Sequence, residues 1–321
     1  MTVLPTSPPT SDPTRDPVSP AEGAPSNEGP DLESLRRSLS PSRAGDFMTC
    51  PLLYRFRVID RLPEEPSPAA VRGTLVHKVL ELLFDQPADQ RGLSQASELV
   101  PQAWREVLES DERLTELFVD DTDGTLADQW LAGTESLLST YFQLEDPQRL
   151  EPAEREFAVS VDLESGLRLR GFIDRLDVAP SGAMRVVDYK TGRSPHEAFE
   201  QRALFQMRFY ALALWRLRGE VPKRLQLLYL GDAQIVSYEP DEHDLLAMER
   251  KLAALWAAIQ RAHDSGDWRP RKSKLCDWCS HQALCPEWGG TPPPLPVVVL
   301  EGSDGAQDDD RPTPASSAVD I

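Results

Sequence analysis

Two short segments constrain this chain more than anything else in it: Gly171-Phe-Ile-Asp174-Arg175 and Val186-Val-Asp188-Tyr-Lys190-Thr-Gly192. Their β-branched and aromatic residues read as two adjacent strands, with Pro180-Ser-Gly182 as the turn between them. Each strand brings one aspartate to the same place. Residues i and i+2 of a strand share a face, so Asp188 and Lys190 project together. Converging carboxylates repel unless a cation lies between them, and hard oxygen donors favour Mg²⁺ or Mn²⁺. A lysine beside such an ion can orient its water or stabilise charge developing on a phosphate. A lone D-x-K is more often a solvated pair at a strand end. The surrounding pattern, G-F-I-D-R followed by V-V-D-Y-K-T-G, lifts this one out of that class.

A chain of 321 residues holds one large domain or two small ones with ample core. No run approaches the ~18 apolar residues needed to span a bilayer. Met1-Thr-Val-Leu-Pro has neither the basic start nor the apolar stretch of a secretory signal, so a cytoplasmic protein without membrane contact is expected. In that reducing setting four cysteines point to metal or cluster ligation rather than disulfides. The net charge of −19 argues against a nucleic-acid partner until its distribution is considered. Residues 1–30 and 289–321 carry −8 and residues 85–156 carry −13, which leaves +2 where the motifs lie. A near-neutral core permits DNA binding.

Residues 1–37 and 289–321 are rich in Pro, Ser and acids and are expected to be disordered. Val297–Leu300 is a short apolar exception that could dock on the core or on a partner. Residues 38–288 read as one domain, with 86–153 an acidic helical insertion and 268–288 a cysteine-bearing segment. Ser40-Pro41 is a helix start, and the helix is expected to continue through Cys50-Pro51 towards Phe56. Leu75, Val76, Val79, Leu80, Leu83 and Phe84 keep a helical period, with His77 on their flank one turn past Gly73. Taken alone, such a histidine is more often a satisfied core or surface group than a ligand. On the strand beginning at Glu154, either Glu154 or Glu156 could approach the acids. Gln206 and Tyr210 share a helical face, with Arg202 and Arg208 beside them as candidate phosphate contacts. Cys276-x₂-Cys279-x₅-Cys285-Pro places three thiols within ten residues, a strong ligand pattern that fits zinc and iron–sulfur clusters alike. His281 is a competing zinc ligand. Arg269, Arg271, Lys272 and Lys274 form a dense basic run beside Trp268, read as a phosphate-contacting edge with a base-stacking platform. The G-x-x-x-x-G-K-[ST] pattern of ATPases is absent from the sequence.

In order along residues 38–288, these motifs resemble the PD-(D/E)XK nuclease superfamily, and within it the RecB-type exonuclease branch of the RecB and AddB nuclease domains. Phe47, Cys50, Pro51, Tyr54 and Phe56 are similar to the opening of those branch members that bear an iron–sulfur cluster. The family proline before the first acid is replaced by Gly-Phe-Ile. The resemblance implies a restriction-endonuclease-like α/β core, a central mixed β-sheet flanked by helices, closed by a C-terminal iron–sulfur clip. It implies metal-dependent hydrolysis of DNA, by an exonuclease acting on single strands or ends in repair or recombination, with a separate helicase as candidate partner. On the same resemblance His77, Asp174, Asp188 and the Tyr189 carbonyl hold Mg²⁺ or Mn²⁺. Lys190 positions the attacking water, and Gln206 and Tyr210 orient water, lysine or substrate. Cys50 joins Cys276, Cys279 and Cys285 around a [4Fe–4S] cluster, with zinc as the alternative. Two other classes stay open: a non-catalytic iron–sulfur DNA-binding subunit of a helicase–nuclease or CRISPR-type complex, and an iron–sulfur redox or sensor protein.

Overall fold

The strand-forming runs assemble into one mixed sheet. The computed structural model describes residues 38–121, 124–195 and 200–296, with side chains in the last stretch from residue 204. Residues 1–37, Val297–Leu300 and the remaining tail, and the Arg202 side chain lie outside the described residues. The strands are β1 (Ser38–Leu39), β2 (Glu154–Asp162), β3 (Arg168–Val178), β4 (Met184–Lys190), β5 (Arg224–Tyr229) and β6 (Gln234–Tyr238). β2, β3 and β4 form an antiparallel meander, β5 runs parallel to β4, and β6 returns antiparallel to β5. β1 lies parallel to the start of β3. Gly182 closes the β3–β4 turn at φ +86°, a conformation that glycine adopts without steric cost.

The helices are α1 (Pro41–Thr49), α2 (Pro51–Tyr54), α3 (Pro68–Leu83), α4 (Leu93–Ser110), α5 (Thr125–Leu144), α6 (Glu200–Arg218) and α7 (Glu242–Ser265). Ser40 caps α1 by accepting the Arg43 N–H, with Pro41 in the first turn as expected. The single helix expected from Ser42 through Phe56 is instead broken at Cys50, which is extended at φ −160°. Pro51 disfavours a helical conformation in the residue before it. The break turns the Cys50 side chain out of the helix line.

Both faces of the sheet are covered. On one side Phe47 of α1, Leu52 of α2 with Phe56 just beyond it, Phe209 of α6, and Leu245 and Leu252 of α7 meet Leu39, Val159, Leu169, Ile173, Leu176 and Val186 of the sheet. On the other, Leu75, Val79, Leu80, Ala103, Trp130, Leu138 and Tyr141 of α3–α5 meet Val187, Tyr189, Leu228 and Leu230. Double coverage explains why β4 and β5 read as nearly continuous apolar runs. It also revises the part given to residues 86–153. Their helices are the second core layer, and each large side chain they bury contributes about 1.5–3 kcal/mol. Among the described residues no helix is long and apolar enough to cross a membrane.

One irregularity matters for the site. Ile173 and Arg175, two apart, should share a face. Instead Ile173 and Leu176 enter the α6–α7 core, while Arg175 points to the other side. There it is fully buried, donating to the Tyr189 hydroxyl at 2.9 Å and pairing with Glu145 of α5 at 2.8 Å. The alternation therefore reverses at Asp174. β2 does the same: Phe157 packs against the α6–α7 core, whereas Arg155 reaches the Glu81 carbonyl and Asp85 beyond α3. Between them Glu156 stands across from Asp174 at φ +43°, in the left-handed region. Such a conformation costs about 1–3 kcal/mol and persists where the surroundings enforce it.

Candidate active site

The reversal gathers three ligand-bearing side chains. β3 and β4 pair only over Arg175–Val178. Beyond that the strands part, and Asp174 Oδ2 accepts the Tyr189 N–H at 2.7 Å in place of a strand partner. α3 delivers His77, whose Nε2 lies 2.9 Å from the Tyr189 carbonyl oxygen and whose Nδ1 lies 3.5 Å from Asp174 Oδ2. Gly73, one turn earlier, leaves room for Thr191; a Cβ there would stand 3.3 Å from the threonine hydroxyl. Donor atoms of His77, Glu156 and Asp174 all lie within 4.8 Å of one another. Glu154 takes no part: it is exposed and faces Arg218 at 3.8 Å.

From the other side α6 aims Gln206 at the second acid. Lys190 Nζ is 2.6 Å from Asp188 Oδ2 and donates to Gln206 Oε1 at 2.9 Å. Gln206 Nε2 in turn donates to Asp188 Oδ1 at 2.9 Å. The three side chains close a ring in which each fixes the rotamer of the next. Tyr210, one turn along α6, is 5 % exposed. Its hydroxyl bonds the Gln206 side chain and the Phe172 backbone, and burial pushes it up to about 12. The structure places Tyr210 behind Gln206, where it positions that amide. Its ring explains the glycine of G-F-I-D, since a Cβ on Gly171 would meet Tyr210 Cε1 at 2.8 Å. Gly171→Ala is expected to cost about 1–3 kcal/mol by overpacking. Cleavage should fall with it as Gln206 shifts; denaturant melts together with an activity assay check both.

The electrostatics ask for a cation. Asp188 is 1 % exposed, and burial, followed by the charge of Asp174, pushes it up to about 6 against the pull of Lys190. Burial and then Asp174 likewise push half-buried Glu156 up to about 7. Carboxylates crowded until they hold protons, beside an imidazole and the Tyr189 carbonyl that it contacts, suit Mg²⁺ or Mn²⁺. The pH consequence can be signed. A carboxyl whose affinity is raised on folding keeps its proton longer in the native state, so it lowers stability as pH rises from about 4.5 to 7. Glu156→Gln should therefore raise the metal-free melting temperature at pH 8 and leave it nearly unchanged at pH 4.5. It should also weaken Mn²⁺-induced stabilisation. Equal gains at both pH values would contradict this account.

The other expected contacts are scattered. Arg208 stacks on Tyr238 with its guanidinium 4.5 Å from the ring centroid, on a side of α6 away from Gln206. Arg269 is exposed and pairs with Asp267 at 2.8 Å. Arg271 donates to the Met48 carbonyl at 2.6 Å, and Lys272 and Lys274 face solvent near the cysteines. Trp268 is not available to stack a base: it is 5 % exposed and lies flat against Tyr54 with ring centroids 5.9 Å apart. Its indole supplies apolar area where the chain enters the cysteine segment. The exposed tryptophans there are Trp278, at 87 %, and Trp288, at 49 %.

The four cysteines are unpaired and converge around a cavity of about 290 Å³. Cys50 Sγ accepts the Arg271 N–H and Cys276 Sγ accepts the Ser273 N–H, both at 3.3 Å. Burial pushes the Cys285 thiol up, opposed by the Glu287 N–H and reinforced by Cys50, Cys279 and Cys276. No three of these sulfurs fall within 4.8 Å of one another among the described residues. His281 is not directed at them. It is 4 % exposed, packs on Phe56 and pairs with Glu64 at 2.7 Å.

A mixed sheet with helices on both faces, its strands parted beside two aspartates and a lysine, defines a nuclease-type core. The chain belongs to the PD-(D/E)XK nuclease superfamily, whose match runs over residues 38–286. The Gene 69 protein of Mycobacterium phage L5 is 25% identical over 297 residues, covering 80% of this chain and 98% of its own. The Gene 69 protein of Mycobacterium phage D29 is 24% identical over 273 residues, covering 77% of this chain and 96% of its own. A crystal structure of a candidate exonuclease from Eubacterium rectale superposes with a TM-score of 0.55 at 13% identity, covering 88% of this chain and 99% of that one. That likeness speaks for the fold.

Proposed function

We propose that this protein hydrolyses phosphodiester bonds of DNA with Mg²⁺ or Mn²⁺, as an exonuclease on single strands or strand ends, in repair or recombination. The observation that carries the reading is the Asp188–Lys190–Gln206 ring facing the His77–Glu156–Asp174 donors. His77, Asp174, Asp188 and the Tyr189 carbonyl would hold the ion, with Glu156 added to the set. Bound there, it supplies Lewis-acid polarisation of the phosphate and a more acidic water. The chain supplies the rest. Asp188 pairs with the Lys190 ammonium, and Gln206 holds it in one rotamer. Lys190 can then donate to a phosphoryl oxygen as negative charge builds. The exonuclease description of the Eubacterium rectale neighbour supports the end-directed part by analogy alone.

A [4Fe–4S] cluster held by Cys50, Cys276, Cys279 and Cys285 belongs to the same proposal. A tetrahedral zinc site with Zn–S of about 2.3 Å draws its sulfurs to roughly 3.8 Å apart. Four thiols lining one cavity suit a four-cysteine ligand set, which zinc and a [4Fe–4S] cluster both accept. The test is anaerobic purification with iron, zinc and sulfide analysis, followed by cleavage of end-labelled single-stranded DNA with Mg²⁺ or Mn²⁺. Cleavage from one end bears the reading out. DNA binding without cleavage under either metal would favour the non-catalytic subunit, which needs a helicase or nuclease partner.

A further inference from the structure

Phe172 is the residue of the catalytic motif that the site itself does not use. It lies two residues before Asp174 on β3, and both side chains line one groove. It is 61 % exposed, the most open phenylalanine among the described residues. Its cross-strand neighbour Ala158 is too small to cover the ring. An apolar ring left open beside a charged centre costs solvation unless something flat covers it in use.

Phe172 stands in a groove of about 1230 Å³ that ends on Asp174, Gln206 and Tyr210. Its wall includes Arg170, Lys251 and Arg57. Arg57 is taken up by Asp46, which also lines the groove, and by Glu64. Arg170 has no ion pair among the described residues; burial holds it below the usual arginine range, and it adds to the charge that lowers neighbouring Arg43. Lys251 lies over the Phe205 ring, also without a carboxylate among the described residues. A half-buried guanidinium without a counter-ion, an uncompensated ammonium and an open aromatic ring are the parts of a single-strand path. On the opposite flank of the metal site, a second groove of about 900 Å³ carries Glu81, Glu106, Glu109 and Glu156 against Lys78 alone. Lys78 is already paired with Glu81 and Glu106. That flank repels a phosphate backbone.

We infer that single-stranded DNA lies in the Arg170–Lys251 groove, with the base next to the scissile phosphate stacked on Phe172. Resting on the nuclease reading for its substrate, the assignment also makes the site one-sided. Phosphates lie on the Arg170 side, and the carboxylate flank takes no more than the short released end.

The test is fluorescence anisotropy of labelled oligo-dT on the full chain in a Lys190→Ala background with Mg²⁺, which prevents cleavage. Phe172→Ala should weaken binding about tenfold, Phe172→Trp should preserve it, and Arg170→Ala should lower the salt dependence by about one phosphate contact. On a strand of abasic sites the Phe172→Ala loss should vanish, which separates stacking from disturbance of the fold. An unchanged affinity for oligo-dT in Phe172→Ala would overturn the assignment. Hydrolysis of bis(p-nitrophenyl) phosphate by the wild type with Mn²⁺ reads the metal site by itself. Its failure together with failed DNA cleavage would sink the nuclease reading while the stacking result is judged on its own data.

Discussion

Lys190→Ala is expected to reduce DNA cleavage by about a hundred- to a thousandfold, the loss typical of removing one preorganised charge from a transition state. The side chain is 30 % exposed, so its truncation opens no core cavity. What it removes is a donor within reach of a phosphate and the counter-charge of Asp188. Asp188→Ala should lose activity at least as completely, because Lys190 and Gln206 both take their geometry from that carboxylate. Gln206→Ala should lose least, about tenfold, since it disturbs the lysine without removing it. The ordering Asp188, Lys190, Gln206 is the informative part. In single-turnover assays the loss belongs in the cleavage step, with affinity for DNA retained. Lys190→Ala cleaving like the wild type would remove the lysine from the chemistry, whatever the family.

How much of this was legible in the sequence depends on how local each feature is. The β-formers of β3 and β4, the D-x-K spacing and the helical period around His77 are local, and they allow Asp174, Asp188, Lys190 and His77 to be read as one group. Gln206 followed from a one-turn offset on α6. Glu156 could not be separated from Glu154 by strand alternation, because that alternation reverses at the very pair in question. A period-2 pattern carries no mark of a left-handed residue within it. Trp268 and Arg208 look like surface groups in a basic or polar run. Tyr54 and Tyr238 claim them only after the chain has folded. Arg43 and Arg170 are far apart in the chain and meet only across α1 and β3, so a search for dense basic runs finds the cysteine segment and misses the groove. The acidity of residues 86–153 marks an acidic helical insertion and says nothing of its buried side. Its outward face is charged, yet its inward face covers half the sheet.

The cysteine segment should respond to one substitution more strongly than any surface region of comparable size. The turns Lys274–Trp278, Gln282–Leu284 and Pro286–Trp288 bury none of their own residues. Burial that orders residues 274–288 comes from partly buried Leu284 and Cys285 and from His281 on Phe56 and Glu64. On the proposed clip, ligand binding would become folding free energy for this segment, and joining Cys50 to Cys276 would close a loop of more than two hundred residues. Cys276→Ser should lose bound iron and colour together. Protease should then cut first between residues 270 and 290, and the melting temperature should fall. The His281–Glu64 pair predicts that loss to be partial, with the sheet and its Asp188–Lys190 ring still formed. His281→Ala should loosen the same segment while the cluster remains bound. A Cys276→Ser protein with wild-type stability and full metal content would refute the clip. A colourless wild type with one zinc per chain would keep the clip and replace the cluster. In that case the sulfurs must close to zinc spacing when the ion binds.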